Sequence, residues 1–174
     1  MEIEKLLANS KYRTDADRVM RRVLNAPELL GELMQLMLKG GDGALVQRAS
    51  MVAGNLGRIQ PGWLLPYLDR MVESAAKPQH PAVQRNILRY LSELPPETIP
   101  ERIRGKTVDL ALRVTDSTEE AVASRVFAMQ IAANFCALYP ELAGELRTCL
   151  EFHIPRGSPG FRSRGLKILS HLPE

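Results

Sequence analysis

Aromatic side chains are scarce in this chain, at 5% of 174 residues, with a single tryptophan. A β-sandwich core draws heavily on large β-branched and aromatic residues, whereas Ala, Leu, Val and Met carry the apolar load here and suit close helix-on-helix packing. No stretch alternates apolar and polar residues over a strand's length, which excludes a sheet protein. No apolar run approaches the roughly 20 residues that span a bilayer. The start, MEIEKLLANSKYRT, lacks a basic segment followed by a continuous apolar one, so no secretory signal is expected and a cytoplasmic location is. There are only two cysteines, Cys136 and Cys149, both on predicted helices among apolar neighbours, which fits buried free thiols in a reducing compartment. Charge of one sign is also missing: a net +3 and a pI near 9.0 are too mild to name nucleic acid as a partner by themselves.

Catalytic signatures are equally sparse. Gly40-Gly41-Asp42-Gly43 has no strand before it and no Lys-Ser/Thr after it, so it is a linker and not a phosphate loop. Ser, Asp and His occur without a nucleophile elbow or any local motif that would place them together. Of the three histidines, His80 precedes Pro81 at a helix entry, and His171 lies where it can stabilise a helix end. Cys149 and His153, at i and i+4, share one helix face, but two ligands with no third nearby in sequence make a poor zinc site, so no metal is expected. No cofactor and no enzymatic activity are expected either.

What the chain does have is repetition. His80 to Pro95, HPAVQRNILRYLSELP, returns about 78 residues later as Ser158 to Pro173, SPGFRSRGLKILSHLP, and both copies finish Leu-Ser-x-Leu-Pro. Pro27-Glu28-Leu29-Leu30-Gly31-Glu32-Leu33 is echoed by Pro140-Glu141-Leu142-Ala143-Gly144-Glu145-Leu146, an offset of about 113 residues. Both offsets are multiples of a unit of roughly 38 residues, and a period of that size built from paired helices signals an α-solenoid. At 45% apolar and 25% charged, the composition is that of an ordered protein, and the length allows one domain over residues 1–174.

In order, helices are expected at 2–8, about 15–25 after a turn through 9–13 with Thr14 or Asp15 as cap, 28–39, 44–58, 63–76, 81–94, 98–114, 119–138, 141–152 and 161–172. Asp116, Ser117 and Thr118 offer caps for the ninth of these, with Glu119 and Glu120 in its first turn. That gives about ten helices in about five hairpins, an all-α protein.

Val46-Gln47-Arg48-Ala49, Leu65-Pro66-Tyr67-Leu68, Ala82-Val83-Gln84-Arg85-Asn86, Tyr139-Pro140-Glu141-Leu142 and Gly160-Phe161-Arg162-Ser163-Arg164 carry a family resemblance. The alternation of a proline-led first helix with a second helix bearing Val-Gln/Arg resembles HEAT repeats, and more closely small bacterial HEAT-like proteins of the kind found in Bacteroidota, within the ARM/HEAT superfamily. The resemblance spans roughly residues 15–173. It implies a right-handed solenoid whose second helices line the concave side.

Over the spans 15–25, 44–58, 81–94, 119–138 and 159–172, the second helices hold about eleven Lys or Arg against about five Asp or Glu. The later first helices lean acidic, with Asp69, Glu73, Asp109, Glu141 and Glu145 among their charges. With the resemblance, this count implies a basic inner face. Aligned across the period, Arg48, Asn86, Arg125 and Arg164 form one row, Arg89 and Lys167 a second, and Arg85 adjoins them. Two roles are open to these arginines: tying down inter-helix loops within a repeat, or binding an anionic partner.

The functional expectation is therefore a non-catalytic interaction scaffold holding an acidic protein or peptide segment, as a monomer or a weak homodimer through the apolar residues Leu166, Ile168, Leu169 and Leu172 of the last helix. The alternative is a nucleic-acid binder or a DNA-repair enzyme like the HEAT-like alkylpurine glycosylases. Against the latter, Trp63 is expected on an outer helix and the second helices offer few aromatics or acids.

Overall fold

Proline sets the starts of these helices. In the computed structural model, which describes residues 1–9 and 13–173 (for residues 13 and 14 the backbone only), all regular structure among the described residues is helical. The elements are α1 (Glu2–Ala8), α2 (Arg13–Asn25), α3 (Leu30–Lys39), α4 (Gly43–Ile59), α5 (Pro61–Leu64), α6 (Leu68–Ala76), α7 (Pro81–Glu93), α8 (Glu101–Asp116), α9 (Val122–Phe135), α10 (Leu142–His153) and α11 (Pro159–Leu169). Short 3₁₀ turns, each with a proline at its first or second position, occur at Pro27–Leu29, Leu65–Tyr67, Pro96–Thr98 and Ile154–Arg156. Proline is tolerated there because the first turn has no intrahelical partner for its missing N–H. The expected turn through residues 10–12 and the side chain of Thr14 lie outside the described residues.

Several helix boundaries differ from the sequence expectation. Helix α8 begins at Glu101, three residues later than expected, because Pro100 pushes the preceding Ile99 into extended backbone (φ −79°, ψ 123°). Helix α9 begins at Val122, so Glu119 and Glu120 precede it and do not occupy its first turn. Ser117 does act locally, its Oγ accepting from the Glu119 N–H at 3.2 Å, but α9 itself starts after Ala121 with no side-chain cap. Asp116 is the last residue of α8 and bonds elsewhere. Val122 is 44% exposed at that helix start.

The chain packs as two compact units, Met1–Tyr90 and Leu91–Glu174. In the first, Leu7, Val23, Leu33, Val52, Leu56 and Leu64 are fully buried. Helix α1, at seven residues, is too short to persist alone and is held at both ends. The Glu32 carboxylate accepts from the backbone N–H groups of Glu2 (3.1 Å) and Glu4 (3.0 Å), while Arg48 Nη1 donates to the Leu7 carbonyl at 2.9 Å. Arg22 adds an ion pair to Glu2 at 2.7 Å. Elsewhere in this unit, Tyr90 lays its ring over Gly57 and donates its O–H to the Pro61 carbonyl at 2.6 Å; burial raises its pKa above the ordinary value.

In the second unit, α8 and α9 form the most closely packed helix pair, and Met129, Phe135, Leu146, Leu150 and Phe161 fill the core. Asn134 Nδ2 anchors α9 by donating to the Ser92 carbonyl at 3.0 Å. Among the described residues, no buried side-chain nitrogen or oxygen lacks a hydrogen-bond partner.

Candidate functional site

The aligned arginines do not share one environment. Arg48 is half-buried and reaches the end of α1 as described. Arg125, near the start of α9, is 91% buried by its 9% exposure, and both Nε (3.1 Å) and Nη2 (3.0 Å) donate to the Thr115 carbonyl in the last turn of α8. Its guanidinium lies 4.2 Å above the centre of the Phe161 ring. Burial lowers its pKa, and the nearby Cys149 and Asp116 act in the opposite direction. Asn86 is buried, its amide donating to Ser50 Oγ at 3.0 Å. These three residues of the first row thus serve packing in their own units. Arg164 is exposed and donates to Gln130 Oε1 at 3.0 Å, bridging α11 to α9. Arg85 and Lys167 are exposed, and Arg89 is half-buried.

Lys167 lines a groove of about 570 Å³ between α9 and α11, to which Ala137 and Pro140 of the turn after α9 also contribute. Gln130 and Asn134 supply amides to its wall, and Ile168 and Leu172 give it an apolar floor. Among the described residues, Lys167 is its one formally charged lining residue and no carboxylate lines it. Beyond Lys167, His171 Nδ1–H donates to the Lys167 carbonyl at 2.8 Å and so caps the end of α11, the role its position in sequence indicated. His80 likewise serves helix entry, its Nδ1 accepting from the Ala82 N–H at 3.1 Å.

A second groove of about 640 Å³ runs between α8 and α10 and has the opposite character, with Asp109, Asp116 and Glu145 on its walls beside Arg113. Cys149 opens onto it. His153, one helical turn further along α10, is 7% exposed, and its Nε2–H donates to Asp116 Oδ1 at 2.8 Å. The Cys149 thiol points at the same carboxylate oxygen, with Sγ 3.8 Å away. Burial, then the Asp116 charge, pushes this thiol up to about 11, so it is protonated near neutrality and is no nucleophile. The i, i+4 spacing had put Cys149 and His153 on one face; the third group, Asp116, comes from another helix 33 residues before Cys149 and was invisible to spacing. The other cysteine, Cys136, is buried as expected, its thiol donating to the Ala132 carbonyl.

Helical hairpins repeating along the chain, turned by proline, with grooves between alternate helices of the second unit, define the class of all-α repeat proteins. Within that class the chain belongs to the HEAT repeat family: the family model described as a HEAT repeat domain matches residues 3–172, nearly the whole chain. No curated protein and no solved structure matches it. Among the described residues no helix is long and apolar enough to cross a membrane.

Proposed function

We propose that this protein is a non-catalytic interaction scaffold that holds an acidic segment of a protein partner in the groove between α9 and α11. HEAT repeats act in general through protein-interaction surfaces, and solenoid repeats present extended grooves for that purpose. One observation carries the choice of groove and partner: among the described residues its one formal charge is that of Lys167, on an apolar floor, while the groove between α8 and α10 holds three carboxylates. An extended segment with alternating apolar and acidic side chains would bury the former on Ile168 and Leu172 and pair the latter with Lys167. The amides of Gln130 and Asn134 bond each other, Arg164 and the Ser92 carbonyl, so the segment is held by the apolar floor and Lys167. Arg164 next to Gln130 supplies a second positive charge at the rim.

Fluorescence anisotropy with labelled peptides alternating Leu with Glu or Asp, beside the same peptides carrying Lys, tests this directly. The acidic set should bind better, and Lys167→Glu should weaken it at least tenfold, the equivalent of about 1.4 kcal/mol. Ala137→Arg, which places a long side chain in the groove, should weaken both sets. Equal affinity for the two sets, or an unchanged affinity in both variants, overturns the assignment. Tight duplex binding that falls steeply with salt would instead point to a nucleic-acid role.

A further inference from the structure

We propose that Asp116, Cys149 and His153 form a binding site for a divalent cation of the zinc class, at the wall of the α8–α10 groove. The three offered ligand atoms, Asp116 Oδ1, Cys149 Sγ and His153 Nε2, all lie within 4.8 Å of one another. Bonds of about 2.0 to 2.3 Å to oxygen, nitrogen and sulfur put two ligands of one tetrahedral ion roughly 3 to 4 Å apart, so small side-chain shifts close the set. A thiolate, an imidazole and a carboxylate are together the donor mixture of a borderline-soft ion, and not that of calcium or magnesium. Two of the donors sit one turn apart on a single rigid helix, which fixes their separation before any ion arrives.

The surroundings support a held site with an open position. The His153 ring is oriented by edge contacts with Phe152 (5.0 Å between centroids) and Phe161 (6.2 Å). Arg125 stacks on the far partner, Phe161, and its charge acts on both Asp116 and Cys149. Asp116, with its side chain 72% exposed, and Cys149 both face the groove, which gives an ion a path from solvent and leaves the fourth position to water. On binding, the Cys149 S–H bond breaks, its proton goes to solvent, and the sulfur lone pair bonds the metal. The His153 proton on Nε2 leaves for Nδ1 or solvent, so that Nε2 can coordinate. No electron is transferred.

Titration of the full chain, reduced and freed of metal by a chelator, with Co²⁺ provides the test. One equivalent should bind, with near-ultraviolet thiolate-to-cobalt charge transfer and the visible bands of four-coordinate cobalt, and Zn²⁺ should bleach both. Cys149→Ser should abolish the charge-transfer band, whereas Cys136→Ser should keep it. Asp116→Asn, which keeps a side-chain oxygen to accept from His153, should weaken Co²⁺ at least tenfold. A wild type that is helical by circular dichroism but shows no charge-transfer band overturns the proposal. So does a band that survives Cys149→Ser or disappears in Cys136→Ser.

Discussion

Arg125 and Arg164 occupy corresponding positions on successive second helices but differ in what their removal would expose. Arg125 gives two charge-assisted hydrogen bonds to the Thr115 carbonyl and stacks on Phe161, in a nearly dry setting. Arg125→Ala leaves that carbonyl without its partner, and hydrogen bonds from charged donors contribute about 1.5 to 3 kcal/mol, so we expect a loss of roughly 2 to 3 kcal/mol in urea unfolding. Arg164→Ala removes one exposed bond to Gln130, and a surface change of this kind stays within about 0.5 kcal/mol. Equal destabilisation by the two would mean that the corresponding positions do the same structural work, contrary to their contacts. Arg48 resembles Arg125 in holding a backbone carbonyl, that of Leu7. The arginine row is thus a row in sequence and a set of separate devices in space.

Glycines distinguish the helices at the element scale. Gly57 in α4 is where Tyr90 and Leu64 approach: a Cβ there would meet Tyr90 Cδ2 at 2.7 Å and Leu64 Cδ1 at 2.8 Å. Gly105 in α8 faces open space, with nothing within 4 Å of the same added atom. Alanine is favoured over glycine in a helix interior by about 0.8 to 1 kcal/mol, so Gly105→Ala should stabilise the chain by up to that amount. At Gly57 the same gain is outweighed by overpacking, which costs about 1 to 3 kcal/mol, and the Tyr90 ring is pinned by its bond to the Pro61 carbonyl and cannot retreat. Gly57→Ala should therefore lower the urea midpoint and Gly105→Ala raise it. The same sign for both would show that packing against Tyr90 is looser than these distances imply.

The division of the chain into two compact units has a consequence for its stability as a whole molecule. In repeat proteins each unit's stability comes from itself and its nearest neighbours, so a local lesion is felt most where it is made. Phe135 is fully buried in the second unit and stacks with Tyr139 at 6.3 Å. Phe135→Ala should cost about 3 to 5 kcal/mol through lost burial and the cavity left behind. Native-state hydrogen exchange should then show protection falling further in α8 to α11 than in α2 to α4. A uniform fall across the chain would establish a single cooperative unit instead.

Much of the fold could be read from the sequence because it rests on short-range physics. The period near 38 residues, the 3.6-residue apolar spacing and the prolines at helix starts each act within one hairpin, and they sufficed for the all-α repeat architecture; in the helix expected at 81–94, Val83, Ile87, Tyr90, Leu91 and Leu94 are all buried. Helix starts slipped where two local signals competed. Pro100 both opens α8 and forces Ile99 to extend, and Asp116 looked like a cap for α9 while its carboxylate was committed to His153. The candidate sites were legible only in part. Sequence placed basic residues on second helices, yet burial alone separates Arg125, bound to backbone, from Lys167, left facing a groove. Spacing put Cys149 and His153 on one face of α10, but no local rule could supply Asp116, since what stands opposite a helix depends on how that helix packs against its neighbour. The sequence by itself determined which helices form and which faces they bury, because propensity and periodicity are properties of adjacent residues. The tertiary structure alone decided which charges are buried and which donors meet, because both depend on contacts between residues far apart in the chain.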